Sequence, residues 1–119
     1  MKTTNNLGAR GEAAAKKYLL ENSYKILATN YRSGHKEIDI ICEKNKNYIF
    51  IEVKTRLKTE ESLNENPLSS LKVKKLKIAI LDYARKYSLN LNLIYLDLII
   101  ILVNKNNNSA ELKHYRNVF

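Results

Sequence analysis

Apolar positions along this chain switch between a helical and a strand rhythm. Ala9 to Asn22 is alanine-rich, with Ala13, Leu19 and Leu20 among its apolar positions, which predicts a first helix. Tyr24 to Tyr31 reads as a strand, and Arg32-Ser33-Gly34-His35 as a turn. Two runs of strong strand formers follow, Ile38-Asp39-Ile40-Ile41-Cys42 and Tyr48-Ile49-Phe50-Ile51-Glu52-Val53-Lys54. Between them Asn45-Lys46 is polar and turn-prone, which predicts a hairpin. Leu57 to Pro67 is polar and irregular and predicts a loop. Leu76, Ala79, Ile80, Tyr83, Ala84 and Tyr87 keep helical spacing, and Ser69 or Ser70 could cap that second helix. Leu93 to Val103 is apolar except at Asp97, and is too short to span a bilayer as a helix, so it predicts a buried strand. Lys105 to Ser109 reads as a loop, and Ala110 to Arg116 as a last short strand. Helix, three strands, helix, two strands predicts an α/β fold with a mixed central sheet flanked by helices. With 119 residues, no repeat and no dividing linker, one domain over 1–119 is expected.

Charged residues stand inside the two central strands, at Glu37, Asp39, Glu52 and Lys54, where ionised groups need a partner or a metal. In a hairpin turning at Asn45-Lys46, residues whose numbers share one sum face each other. Asp39 then lies opposite Glu52 and Glu37 opposite Lys54, and period-two alternation puts all four on one face. The other face would carry Ile38 against Val53, Ile40 against Ile51 and Cys42 against Ile49. Facing carboxylates repel unless positive charge lies between them, and Mg²⁺, a hard ion with oxygen ligands, suits that place. Carboxylates holding Mg²⁺ or Mn²⁺, with a lysine beside them, suit phosphodiester hydrolysis. A cross-strand salt-bridge ladder on an exposed sheet face is the competing explanation.

The formal net charge of +9 and pI near 9.6 favour an anionic partner, nucleic acid before anionic membrane. Lys72, Lys74, Lys75 and Lys77 crowd the start of the second helix, against its dipole, at a cost on the order of 0.3–1 kcal/mol per residue. An anionic partner would offset that cost, and such contacts would be to phosphates. Solvated lysine is the plain alternative. Glu12 stands near the start of the first helix, where a carboxylate complements the dipole without any further role. His35 and His114 are candidates for a general base, but the favoured reading is ordinary surface or hydrogen-bonded histidine. One cysteine excludes an internal disulfide, and with two histidines it cannot make a usual structural zinc site. Cys42 reads as a small buried hydrophobe in a reducing cytosol. Met1 to Asn6 lacks the apolar core of a signal peptide, so a cytoplasmic protein is expected.

Gly8-Ala9-Arg10-Gly11-Glu12-Ala13-Ala14-Ala15, Tyr24-Lys25-Ile26-Leu27, Asn30-Tyr31-Arg32, Glu37-Ile38-Asp39, Ile51-Glu52-Val53-Lys54-Thr55-Arg56, Leu96-Asp97 and His114-Tyr115-Arg116-Asn117-Val118-Phe119 together resemble the YraN-like family of small bacterial predicted endonucleases, in the PD-(D/E)xK superfamily. The resemblance extends from the first helix to the last residue, with Lys72, Leu76, Ala79 and Tyr83 on the second-helix pattern. It implies a restriction-endonuclease-like core. By it, Asp39, Glu52 and the Val53 carbonyl would hold metal, Lys54 would be the catalytic lysine, and Glu12 a further acid facing the site. Lys36 stands where the family usually has glycine and would alter how that turn meets DNA. Ile38 replaces the superfamily's proline, and Val73 a frequent polar residue. The layout is also similar to archaeal Holliday-junction resolvases, which suggests branched DNA by analogy. The expectation is a Mg²⁺- or Mn²⁺-dependent DNA endonuclease with Lys36, Lys72, Lys74 and Lys75 on nucleic acid. The rival is a non-catalytic nucleic-acid-binding module on the same fold. Cutting both strands of a duplex would call for a homodimer, for which the sequence shows no interface.

Overall fold

The computed structural model describes residues 3–64 and 68–118. Pro67, the end of the expected loop, and Phe119, the end of the family-like tail, lie outside the described residues, as do Met1 and Lys2. The elements are α1 (Thr3–Glu21), β1 (Lys25–Ser33), β2 (Lys36–Lys44), β3 (Asn47–Leu57), the short α2 (Glu60–Asn64), α3 (Ser70–Lys86), a 3-10 turn (Leu91–Leu93), β4 (Ile94–Asn104) and β5 (Ser109–Tyr115). They form one five-stranded sheet in the order β1-β2-β3-β4-β5, with helices against both faces. This is the mixed α/β sheet that the element order predicts, and it is consistent with a restriction-endonuclease-like core. Only β3 and β4 run parallel; the other neighbours are antiparallel. A parallel pair needs a crossover, and α3 supplies it.

Local chemistry explains most boundaries. Asn45 and Lys46 both have positive φ, 53° and 69°, as a two-residue hairpin turn with the twist of its strands requires. The Ser69 side chain accepts from the Lys72 amide at 3.2 Å and caps α3. Within the expected loop, Thr59 and Ser62 exchange side-chain and backbone hydrogen bonds, which start the five-residue α2. The expected loop from Leu57 to Pro67 is thus corrected at Leu57, which ends β3, and at Glu60–Asn64, which is helical.

Two apolar clusters sandwich the sheet. Ala15 and Leu19 of α1 pack on Ile40, Cys42, Ile49, Ile51, Ile99 and Ile101. Leu76, Ala79, Ile80 and Tyr83 of α3 pack on Ile38, Ile41, Phe50 and Leu96. Burial raises the Cys42 thiol to about 12, so it stays protonated, and its Sγ lies 3.5 Å from the Ile49 carbonyl oxygen. Among the described residues no helix is long and apolar enough to cross a membrane.

The expected register holds only in part. Ile40↔Ile51, Ile41↔Phe50 and Cys42↔Ile49 pair as the hairpin arithmetic requires, and the β2–β3 ladder stops there. Asp39 against Glu52, Ile38 against Val53 and Glu37 against Lys54 are not ladder pairs. Ile38 lies in the α3-side cluster and Val53 against the α1 side, not together on one face. The alternation breaks once in β2 and twice in β1, where a bulge between Ile26 and Ala28 already puts these two on opposite faces. Ile38 and Ile41 share a cluster, as do Ala28 and Tyr31. The β2 break falls at Asp39 and, in the same register, the second β1 break at Asn30, whose φ is 51°. A left-handed residue inside a strand turns the chain over and resets which face follows.

α1 crosses β3 closely at one point. A Cβ on Gly11 would coincide with the Thr55 hydroxyl oxygen, whereas nothing lies within 4 Å of one on Gly8. Gly11→Ala is expected to destabilise by roughly 1–3 kcal/mol through overpacking. Gly8→Ala should stabilise by up to about 1 kcal/mol through helix propensity. Thermal melting of the two variants should shift in opposite directions; two equal shifts would place the close approach elsewhere.

Candidate metal and nucleic-acid site

The early end of the β2–β3 ladder opens the sheet where its acids lie. With β2 backbone no longer opposite, the Val53 amide donates instead to Asp39 Oδ2 at 2.8 Å. Glu52, one residue earlier on β3, is buried at 4% exposure. Its Oε2 pairs with Lys54 Nζ at 3.3 Å and with Lys72 Nζ of α3 at 3.5 Å. The strand alternation that carries Phe50 into the α3-side core thus carries Glu52 and Lys54 toward the α3 N-terminus.

Asp39 feels this crowding. Its pKa is raised to about 7, first by burial and then by the Glu52 charge, with Glu12 and Glu37 adding to it. The Val53 hydrogen bond pulls the other way and does not prevail. A cation brought among these carboxylates would offset both the burial and the repulsion that disfavour the charged form of Asp39.

Asp39 borders two hollows. The one on the α3 side, about 330 Å³, is lined by Glu37, Asp39 and Glu52 with Lys36, Lys72 and Lys75, and also by Arg32 and His35. The one on the α1 side, about 290 Å³, is lined by Glu12, Asp39, Val53 and Lys54. Glu12 reaches this position because Gly11 lets α1 lie on β3. Its Oε1 accepts from Asn30 Nδ2 at 3.3 Å and lies 4.0 Å from Lys16 Nζ.

The expected residues therefore sort as follows. Asp39 joins two groups: Glu12, Val53 and Lys54 in the α1-side hollow, and Glu52 with Lys36, Lys72 and Lys75 in the α3-side one, while Lys74 is exposed on α3 and lines neither. Arg32, His35 and Asn30 are additions to the reading of the sequence, where they fell in a strand end and a turn. The signal for them was their adjacency to Glu37-Ile38-Asp39 across a tight turn.

Among the described residues no group of three or more His, Cys, Asp or Glu side chains is gathered around a common metal position. Asp39 is drawn to the Val53 amide and Glu52 to two lysines. The donor chemistry nevertheless fits a hard divalent ion: two carboxylates and a strand carbonyl, all oxygen, mutually repelling and beside a cleft.

A second polar cluster lies on the α1 side of β4 and β5. His114 Nε2 is 2.8 Å from Asp97 Oδ2, and His114 Nδ1 is 2.7 Å from the Tyr18 hydroxyl. Because the carboxylate only accepts, Nε2 carries a proton and donates to Asp97. Asp97 Oδ1 accepts from the Asn117 amide at 2.9 Å. Both the His114 and Asp97 side chains are buried, and neither Tyr18 nor His114 lines the hollow beside Asp97. This network ties α1, β4, β5 and the tail together. The histidine is hydrogen-bonded, as the sequence reading favoured, and Asp97 is the partner that reading missed.

Comparison with known proteins agrees with the resemblance seen in the motifs. The model of "Uncharacterised protein family UPF0102" matches residues 11–101. A UPF0102 protein of Syntrophomonas wolfei is 34% identical over 113 residues, covering 95% of this chain and 96% of its own. One from Clostridium botulinum is 35% identical over 121 residues, covering 99% and 97%. One from Bacteroides fragilis is 32% identical over 115 residues, covering 97% and 93%. A shared fold length, a matching model over most of the sheet and identity at this level show that the chain belongs to the UPF0102, or YraN-like, family.

Proposed function

We propose that this protein is a divalent-metal-dependent nuclease that hydrolyses phosphodiester bonds in DNA. The observation that carries the reading is the crowding of Asp39 and Glu52 beside Lys54, in a cleft whose rim holds Arg32, Lys36, Lys72 and Lys75. Asp39, Glu52 and the Val53 carbonyl would hold Mg²⁺ or Mn²⁺, which supplies Lewis-acid polarisation of a phosphate oxygen and acidifies a bound water. Lys54, two residues beyond Glu52 on the same strand face, orients the attacking water and balances charge gathering on the phosphate. Glu12 approaches from α1 and adds negative charge on the far side of Asp39. The basic rim contacts phosphates, which positions the strand without reading its sequence.

A non-catalytic nucleic-acid-binding module is the second reading. One observation favours it: the Glu52 carboxylate is already neutralised by two lysines. A cleavage screen over linear, nicked, flapped and four-way DNA, with Mg²⁺ or Mn²⁺ and with EDTA, separates the two and identifies the preferred substrate shape. Metal-dependent strand cutting supports the nuclease; binding without cutting on every substrate supports the module.

Asp39→Ala, Glu52→Ala and Lys54→Ala are each expected to lower cleavage by roughly a hundredfold or more, the scale of a lost electrostatic or general-base group. Glu12→Gln should cost less. Circular dichroism should stay near wild type, and undiminished cutting by purified Asp39→Ala or Glu52→Ala would overturn the assignment.

Asp39 also sets a pH dependence. Its folded pKa of about 7 lies above an unfolded value of about 3.9, so the folded chain binds more protons between these pH values. Stability from this group is therefore greatest below about pH 4 and falls as pH rises through 7. Asp39→Asn removes that penalty and keeps an oxygen for the Val53 amide. In EDTA at pH 8 it should melt above wild type, by about 4 °C if the gain is on the order of 1 kcal/mol, and the difference should close near pH 4. Mn²⁺ should raise the wild-type melting temperature by mass action and the variant's much less. Equal metal shifts would show that Asp39 is no ligand.

A further inference from the structure

Lys72 occupies an unusual place for a structural cation. It lies in the first turn of α3, which contains no acidic residue, where the helix dipole already supplies positive charge. Its ammonium shares a single carboxylate oxygen, Glu52 Oε2, with Lys54. Two cations on one buried oxygen exceed the charge that oxygen can neutralise. The two are not equivalent. Lys54 is the nearer, at 3.3 Å with a side chain 20% exposed, and belongs to the same strand as Glu52. Lys72 is the farther, at 3.5 Å with a side chain 41% exposed, and belongs to another element. Lysine is a point charge on a flexible stem, so the outer partner can leave without moving the backbone. Lys36, Lys75 and Arg32 line the hollow into which it would turn, and they make that hollow attractive to a phosphate.

We propose that Lys72 is an exchangeable counter-ion, which neutralises Glu52 in the metal-free protein and passes to a nucleic-acid phosphate when Glu52 binds a divalent cation. The proposal rests on the metal-site reading above. It has a consequence that a fixed lysine lacks. Metal binding adds a phosphate contact, so metal and DNA strengthen each other's binding, and by linkage the strengthening is equal in both directions.

The salt dependence of binding counts phosphate contacts directly. Binding of a duplex to the full chain is measured by anisotropy across a salt series, with EDTA, Mn²⁺ or Ca²⁺, and with intact recovery of the DNA checked. For wild type the slope of log K against log salt should steepen by about 0.9 when metal is added, the increment of one contact on B-DNA. Lys72→Gln should show the metal-free slope under all three conditions, and Lys72→Arg should keep the steepening. Mn²⁺ titration of each protein without DNA, followed by electron paramagnetic resonance, should show several-fold tighter metal binding by Lys72→Gln, because the competing ammonium is gone. If wild type binds Mn²⁺ but Lys72→Gln steepens as much as wild type does, the exchange is overturned and the metal site stands. If wild type binds no Mn²⁺, the metal-site reading itself fails and the exchange falls with it.

Discussion

The cleft depends on where two strands stop pairing. β2 and β3 run together from the Asn45-Lys46 turn to Ile40 and Ile51, and there their ladder ends. An unpaired amide in a central sheet is costly, and the Val53 amide finds the Asp39 carboxylate instead of a carbonyl. That one bond draws Asp39 into the opening and leaves it beside Glu52. The two hollows that Asp39 borders lie at this opening, while the lysines beside Glu52 come from the alternation of β3 and from α3. A hairpin zipped to its open end would offer the Val53 amide a backbone carbonyl and leave Asp39 without that hydrogen bond.

Much of this was legible in residue order. Ser69 capped the helix it was expected to cap, Asn45-Lys46 turned the hairpin, and the pairing sum held from Lys44 to Ile40. The apolar run Leu93 to Val103, broken only at Asp97, is the buried strand it predicts, Ile94–Asn104. The sequence was silent where backbone conformation overrides alternation. Nothing in Glu37-Ile38-Asp39-Ile40 announces that the alternation resets at Asp39, and a period-two reading therefore puts Ile38 with Ile40 rather than with Ile41. The grouping of Asp39, Glu52 and Lys54 survived this error because the three lie within a few residues of the ladder's end. Four lysines look alike in sequence, but a helix of 3.6 residues per turn sends Lys72 and Lys75 to the cleft and turns Lys74 away from it.

The polar network of Tyr18, His114 and Asp97 shows a different limit of sequence reading. Its members are far apart in the chain, and each alone is an ordinary residue. Parallel pairing of β3 with β4 sets Asp97 beside Ile51, and antiparallel pairing sets His114 beside Ile99. Only then does the Tyr18 hydroxyl find the ring. Among the described residues no buried side-chain nitrogen or oxygen lacks a partner, and this network accounts for the deepest of them. It fastens the C-terminal half of α1 to the sheet, while Gly11 seats the N-terminal half. Between the two, α1 is held in the register that presents Glu12.

The parallel pairing of β3 with β4 also bears on how the chain folds. The hairpin that holds Asp39, Glu52 and Lys54 is a local structure, of a kind that forms in about 1–10 μs. Lys72 reaches Glu52 only through α3, the arm of a crossover whose strands meet across a long stretch of chain. Closing such a loop is entropically slow, and contact order of this kind sets the pace of the whole domain. Asp39 and Glu52 are thus brought near each other by local structure, and the second cation of Glu52 only by a non-local closure.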